Sequence, residues 1–449
     1  MKKTIYAKIV FMKEILKTLI LEFRERDLPK INPRELQIFN FPPEVRKAHI
    51  LMGMRRTGKT WILYQKIKNL IEQGVDKRKI LYLNFEDDRL EDFQSSHFQL
   101  ILDAYYDLYP ENVKTTDLFF FFDEIHVIDG WEKFIRRLID QEKMGIFVTG
   151  SSAHMLSKEI STTLRGRGWA QEVFPCSFTE SLSFKGVEIP EQFTSKKASQ
   201  MRHAAEEYLI FGGFPESLFL TEHLRLQLLQ DYMHAVAFKD VVDRYRLTNS
   251  HMVKKFLIYC LRHPASLLSI SKMFNTFKSI GESIGKNSLY EFLSYFEDAY
   301  ALFSVPIFNF SETIRQSNPK KIYAGDPGLV SAYSVKPEFE KATRLETAVF
   351  NHLRRESKDI FYYKTAGKKE VDFVVMSVKG DYSLYQVSVT LSKESTRMRE
   401  VEALTEAAQE MNLKEGTIIT FDEEETIQQN GIQINIQPFW KWALKMAFH

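Results

Sequence analysis

The chain has 449 residues, of which 44% are hydrophobic and 27% charged, with a formal net charge of +2. That length is too great for one ordinary domain and suggests about three, and the near-neutral balance excludes a global basic field, so any nucleic-acid site has to be a local patch. The two cysteines, Cys176 and Cys260, are far apart and lack CxxC spacing, which argues against a structural disulfide or zinc site and fits a reducing cytoplasm.

Residues 1–44 read as a helical lead-in that ends near Pro43. Its start, MKKTIYAKIVFMKEILKTLILEF, has the outline of a signal peptide, but Lys8, Lys13, Glu14 and Lys17 interrupt the apolar run and no small-residue cleavage site follows. An amphipathic helix is expected instead. No apolar stretch reaches membrane-spanning length, so no membrane association is expected.

From 45 to 175 the pattern alternates between strands and helices. The apolar stretch Ala48–Met52 leads into GMRRTGKT, Gly53 to Thr60, and then into apolar residues at helical spacing from Trp61 to Ile67. Strand, glycine-bounded loop and helix is the setting of a phosphate-binding loop. Gly53 and Gly58 let the backbone curl so that N–H groups, those of Arg56 and Thr57 among them, point at phosphate oxygens, with the helix N-terminus adding partial positive charge. Lys59 is placed to reach the β- and γ-phosphates of ATP, and the Thr60 hydroxyl to ligate Mg²⁺. The plain alternative is a glycine turn before a helix.

A second strand is expected over 79–86. The run from Asp117 to Glu124, DLFFFFDE, then reads as a buried parallel strand ending in two acids, at the strand end where open α/β sheets bind ligands. Asp123 is expected to hold Mg²⁺, and Glu124 to orient and deprotonate the attacking water. Two acids capping a helix is the structural alternative. DEIH has the form of a helicase DExH box, but the rest of a two-core helicase is not found downstream.

The strand GIFVTGSS, Gly145 to Ser152, ends in Thr149, Ser151 and Ser152. Each hydroxyl is a candidate to hold the attacking water or the γ-phosphate, or to cap a helix starting near Ala153. Arg165 and Arg167 flank Gly166. They suit an arginine finger, with Arg167 favoured, or a solvated basic turn. A finger acting in trans would require a homo-oligomer.

Residues 176–250 read as a helical lid broken by the turn FGGFPE at 211–216, with Arg244 or Arg246 as a second sensor or part of a solvated face. Residues 251–335 read as three helices and a hairpin, the order of a winged helix. Its third helix would lead into a DNA major groove with Lys286, Asn287, Ser288 and Tyr290. Glu282, Glu291 and Glu297 in the same strip keep a protein partner open as the alternative.

The last part, 336–449, returns to α/β. An acid on a helix (Glu346), an acid entering a strand (Asp372) and the pair Gln386 and Ser388 on the next strand have the spacing of a restriction-endonuclease-like site. Such sites hold Mg²⁺ on carboxylates and polarise water with a lysine. Gln386 stands where an acid is usual and Ser388 where the lysine is expected. Lys364, Lys368 or Lys393 are the lysines able to move into that role. The domain is therefore expected to be a nuclease-like fold kept for binding or packing, with an ATP-regulated DNA nuclease as the alternative.

Taken in order, GMRRTGKT, FFFFDEIH, VTGSSA, LRGRG, FGGFPE, KIYAGDPGL and KEVDFVV resemble a family of prokaryotic AAA+-type P-loop ATPases. The resemblance covers nearly all of the chain from about residue 45. It implies an α/β P-loop NTPase core with a helical lid, a winged helix and a C-terminal nuclease-like α/β domain. It also implies ATP and Mg²⁺ as ligands, with Lys59, Thr60, Asp123 and Glu124 in their usual roles and sensor 1 at the end of the 145–150 strand. The family has no settled cellular role.

Overall fold

The computed structural model describes residues 2–42, 44–142, 144–152, 162–335 and 340–446. It is an α/β chain of two compact units, residues 1–173 and 174–449. The three divisions expected after residue 175 all lie inside the second unit.

The first unit is built on five strands: β1 (Ala48–Met52), β2 (Ile80–Asn84), β3 (Phe119–Asp123), β4 (Gly145–Gly150) and β5 (Gly168–Glu172). All pair in parallel, in the order β2-β3-β4-β1-β5. Parallel strands are covered on both faces, so central ones read as unbroken apolar runs. In β3 the phenylalanines divide by the two-residue period. Phe121 joins the core under the helix Lys59–Glu72, while Phe120 meets Tyr105, and Phe122 meets Phe134, on the other face. β5 is not legible as a strand in the sequence: it is an edge strand, GWAQE, that is nowhere fully buried.

The lead-in departs from expectation. Its helix is Lys2–Glu25 only; residues 26–42 carry no regular element and lie along the Lys59–Glu72 helix. Lys66 donates from Nζ to the Ile38 carbonyl (2.9 Å) and to Asn40 (2.7 Å), and Gln65 exchanges hydrogen bonds with the backbone of Arg34. The physical reason is proline: Pro29 and Pro33 cannot donate backbone hydrogen bonds, and they stop the helix that the residues before them begin.

On β1, His49 stacks between Phe41 (4.4 Å) and Phe147 (5.1 Å). Burial, and then the nearby Lys66 charge, push its pKa from 6.5 down to about 4. A depressed histidine stabilises the fold fully above its unfolded pKa and loses that contribution as pH falls. The first unit should therefore weaken between about pH 6.5 and 4, by about 3 kcal/mol at most. His49→Phe keeps the stack and removes the proton site, so its acid-unfolding midpoint by circular dichroism should move to lower pH. An unchanged midpoint would contradict this.

The second unit begins with the helices Phe178–Phe184, Ser195–Phe211 and Glu222–Ala235, the last continuing as a π-helix over Val236–Asp243. The helices Ser250–Arg262, Ile270–Ser279 and Lys286–Asp298 follow, with an antiparallel sheet of β6 (Ser266–Leu268), β7 (Leu302–Val305) and β8 (Lys320–Ala324) in the order β6-β8-β7. β6, at three residues, is too short to be legible in the sequence.

A six-stranded mixed sheet completes the unit: β9 (Ile360–Lys364), β10 (Glu370–Met376), β11 (Tyr382–Val387), β12 (Glu415–Thr420), β13 (Glu425–Gln429) and β14 (Ile432–Pro438). Its order is β13-β14-β12-β11-β10-β9. The helix Lys341–Glu356 contributes Leu345, Val349 and Phe350 to a core shared with Phe178 and Tyr208 from the first helices, Tyr323 from β8, and Phe439 and Trp442 from the closing helix. Cys176 and Cys260 are both buried free thiols. No described helix is long and apolar enough to cross a membrane.

Candidate functional site

The C-terminal ends of β1, β3 and β4 meet at one rim, because the strands are parallel and in register: Leu51 lies opposite Thr149, and Asn84 opposite Asp123. The loop after β1 follows the expected course. A Cβ on Gly53 would lie 2.1 Å from the Val173 carbonyl oxygen, so only glycine fits there. Gly58 has φ 94°, in the left-handed region, and caps the helix Lys59–Glu72 with no side-chain hydrogen bond. The amides opening that helix are thus not taken by a side chain of its cap, which suits an anion.

Lys59 is 4% exposed. Its Nζ donates to the carbonyls of Gly53 (3.0 Å) and Met54 (3.2 Å) and lies 3.4 Å from Glu124 Oε1. The Thr60 hydroxyl donates to Asp123 Oδ2 at 2.7 Å. Lys59, Thr60, Asp123 and Glu124, chosen from two separate motifs, are therefore one cluster.

Asp123 is fully buried. Tyr82 on β2 donates to its Oδ2 (2.9 Å) and Thr149 on β4 to its Oδ1 (2.5 Å). Burial, and then the neighbouring Glu124 charge, raise its pKa, against the hydrogen bonds from Thr149, Thr60 and Tyr82. A divalent cation held here would reverse that balance.

Glu124 has φ 51°, a strained left-handed conformation for a non-glycine residue. Its N–H donates to Thr149 Oγ1 at 2.8 Å, so Thr149 braces both acids. Glu124 Oε2 lies 3.2 Å from His126 Nδ1, and His126 Nε2 lies 3.2 Å from Ser151 Oγ. His126 thus lies between Ser151 and Glu124. The helix expected to start near Ala153 falls outside the described residues.

The Thr57 side chain faces inward and donates to the Met54 carbonyl (2.9 Å), which leaves its backbone N–H as the group expected to meet a ligand. Arg56 is exposed, with φ 68°. Arg165 and Arg167 do not join the cluster in this chain. Gly168 pairs with Ala48, the first residue of β1, while the loop follows Met52, the last. Four residues of strand, roughly 13 Å, separate the two ends. Arg167 instead pairs with Asp140 at 2.5 Å, and Arg165 is exposed.

Sequence reasoning missed Arg34, Tyr82 and His126. Buried Arg34 donates from Nη1 to the Thr57 carbonyl at 2.6 Å and braces the loop from the irregular lead-in. Tyr82 stands inside an apolar strand, where a tyrosine reads as core.

In the second unit Glu346, Asp372 and Gln386 come together: the Asp372 N–H donates to Gln386 Oε1 at 3.1 Å, and Gln386 Nε2 to Glu400 Oε2 at 2.7 Å. The lysine among them is none of those expected. It is Lys321 of β8, within 3.3 Å of Glu346 and 2.8 Å of Asp372. Ser388 turns to the Thr390 carbonyl, and Lys364 lies 3.9 Å from Glu370.

Residues 45–182, which hold the Lys59 cluster, match an AAA domain, and residues 202–339 and 343–439 match two domains of unknown function, DUF8612 and DUF4143. The uncharacterized protein MJ1544 of Methanocaldococcus jannaschii is 32% identical over 448 residues, covering 97% of this chain and 96% of that protein. The chain belongs to the same family as that protein. An uncharacterized protein of Haemophilus influenzae is 28% identical over 340 residues, covering 75% of this chain and 80% of its own. Residues 45–182 of this chain are thus an AAA-type, P-loop ATPase-like domain. Among solved structures, the Walker-type ATPase PABY2304 of Pyrococcus abyssi is 14% identical with a TM-score of 0.42, over 68% of this chain and 99% of that one. The Aeropyrum pernix ORC1 protein, solved in complex with DNA, is 12% identical with a TM-score of 0.30, over 72% and 91%.

Proposed function

We propose that the chain binds and hydrolyses Mg²⁺-ATP, and acts as a switch or motor whose second unit engages DNA or a protein partner. The observation that carries this reading is the convergence of Lys59, Thr60, Asp123 and Glu124 at the rim where Gly53 and Gly58 curl the loop. Thr60 and Asp123 are the side chains that would hold Mg²⁺, which when bound supplies charge that neutralises the phosphates. Lys59 turns from its loop carbonyls to the β- and γ-phosphates. Its departure frees Glu124 Oε1, 3.4 Å away, to accept a proton from the attacking water. Thr149 holds both acids in place, and His126 lies beside the other oxygen of Glu124. The gain is positional, and small displacements of such groups are costly.

In this reading the segments are a lead-in (1–44), an ATPase core (45–175), a lid (176–250), a winged helix (251–335) and a nuclease-like domain (336–449). The helix Lys286–Asp298, with Lys286, Asn287 and Tyr290 exposed, supports a surface for DNA or protein. Arg165 and Arg167, away from their own loop, suit contact with the nucleotide of a second copy. The test is phosphate release with and without Mg²⁺ and duplex DNA, across a range of protein concentrations. Mg²⁺-dependent release is expected, with turnover per chain rising with concentration. DNA binding, if it is the engagement, should weaken steeply with salt. Release that is absent under every condition would reject the reading.

A further inference from the structure

A nuclease-like sheet implies a divalent metal on Glu346 and Asp372, and the side chains around those two residues do not fit one. Lys321 is buried, its side chain 4% exposed, and its Nζ is 2.8 Å from Asp372 Oδ1, 2.9 Å from Glu370 Oε1 and 3.3 Å from Glu346 Oε1. The Asp372 and Glu370 distances are those of charge-assisted hydrogen bonds, and the Glu346 contact is longer. The ammonium sits where the three carboxylates converge, which is the place a metal ion would take. Two of these carboxylates carry further hydrogen bonds. Asp372 Oδ2 accepts from the Val387 N–H at 2.9 Å, and Glu346 Oε1, the oxygen that faces Lys321, also accepts from the Tyr323 hydroxyl at 2.7 Å. Among the described residues no group of three or more His, Cys, Asp or Glu side chains is arranged to hold a metal ion.

We propose that Lys321 is the resident cation of this site: a covalently delivered ammonium that takes the place of a divalent metal and locks β8 onto the C-terminal sheet. A buried ammonium needs partners, and here β10 and the helix Lys341–Glu356 supply them. Burial alone lowers the Lys321 pKa, but Asp372, Glu346 and Glu370 outweigh it and hold it above its ordinary value. Neither a lysine free to polarise water nor an open metal position is left, so the C-terminal domain does not cleave nucleic acid. None of this depends on ATP hydrolysis.

The experiment is a titration of nucleotide-free full-length protein with Mn²⁺, following free Mn²⁺ by electron paramagnetic resonance. Wild type and Asp372→Asn should titrate alike, since the site holds no metal in either. Lys321→Met should gain one Mn²⁺ per chain, and Lys321→Met/Asp372→Asn should lose it again. If Lys321→Met does not fold by itself, refolding when Mn²⁺ is added supports the lock, and failure to refold with Mn²⁺ overturns it. The proposal is also overturned if wild type binds one more Mn²⁺ than Asp372→Asn, or if a folded Lys321→Met titrates as wild type. Asp372-dependent cleavage of DNA by wild type with Mn²⁺ would overturn it too, and would make Lys321 the catalytic lysine of a nuclease.

Discussion

Lys59→Ala should abolish measurable ATP binding and, with it, hydrolysis. Lys59 is the buried loop cation beside Thr60 and Asp123, and its ammonium already has Glu124 3.4 Å away. Charge-assisted hydrogen bonds to phosphate are worth about 1.5–3 kcal/mol each, so losing two weakens ATP binding by roughly two to four orders of magnitude. The variant also leaves Glu124 without its neighbouring cation, in a strained backbone conformation at φ 51°, and that adds repulsion toward the incoming phosphates. Titration with a fluorescent ATP analogue, with and without Mg²⁺, reads the loss. Wild-type affinity in a folded Lys59→Ala protein would remove the loop from the account.

The second large effect is on stability. FGGFPE and GDPGL, far apart in the chain, form one buried knot in the second unit. Asp326 accepts from the N–H of Gly213 and from that of Gly328, both at 2.8 Å. A Cβ on Gly213 would lie 2.1 Å from the Cys176 carbonyl oxygen, and one on Gly328 would lie 2.5 Å from that of Phe211. These neighbours are backbone, which cannot rotate away. Gly213→Ala should therefore cost about 3 kcal/mol, the upper part of the usual range for overpacking. Asp326→Ala leaves two buried N–H groups unpaired, at about 1–3 kcal/mol each. Calorimetry should show the transition of the second unit falling by roughly 6–12 °C in Gly213→Ala. Wild-type melting in either variant would contradict the knot.

These two cases show what could be read from the sequence and what could not. GMRRTGKT and DLFFFFDE are legible because the geometry of each depends on residues adjacent in the chain: a curled loop entering a helix, and acids ending a buried strand. Partners brought in by folding are not. Arg34 reaches the loop from a segment without periodicity, Tyr82 has the appearance of core, and His126 gains meaning only when β4 sets Ser151 beside it. Lys321 lies beside a second lysine at the start of β8, KKIYA, 25 residues before Glu346, and nothing local distinguishes it from an edge lysine. Arg165 and Arg167 read well as a motif, yet the register of β5 puts them at the far end of the sheet. The unread strands, β5 and β6, are an edge strand and a very short one, where the alternation signal is weakest.

The central claim is that Glu124 activates water at an ATP site built by Lys59, Thr60 and Asp123. The measurement that tests it most directly is the fate of γ-labelled ATP on the Glu124→Gln protein in the presence of Mg²⁺. Glutamine keeps the shape of the side chain and cannot take the proton. The protein should retain intact ATP with wild-type affinity, while phosphate release falls by about 10²–10⁴-fold. Release at the wild-type rate from Glu124→Gln would contradict the account.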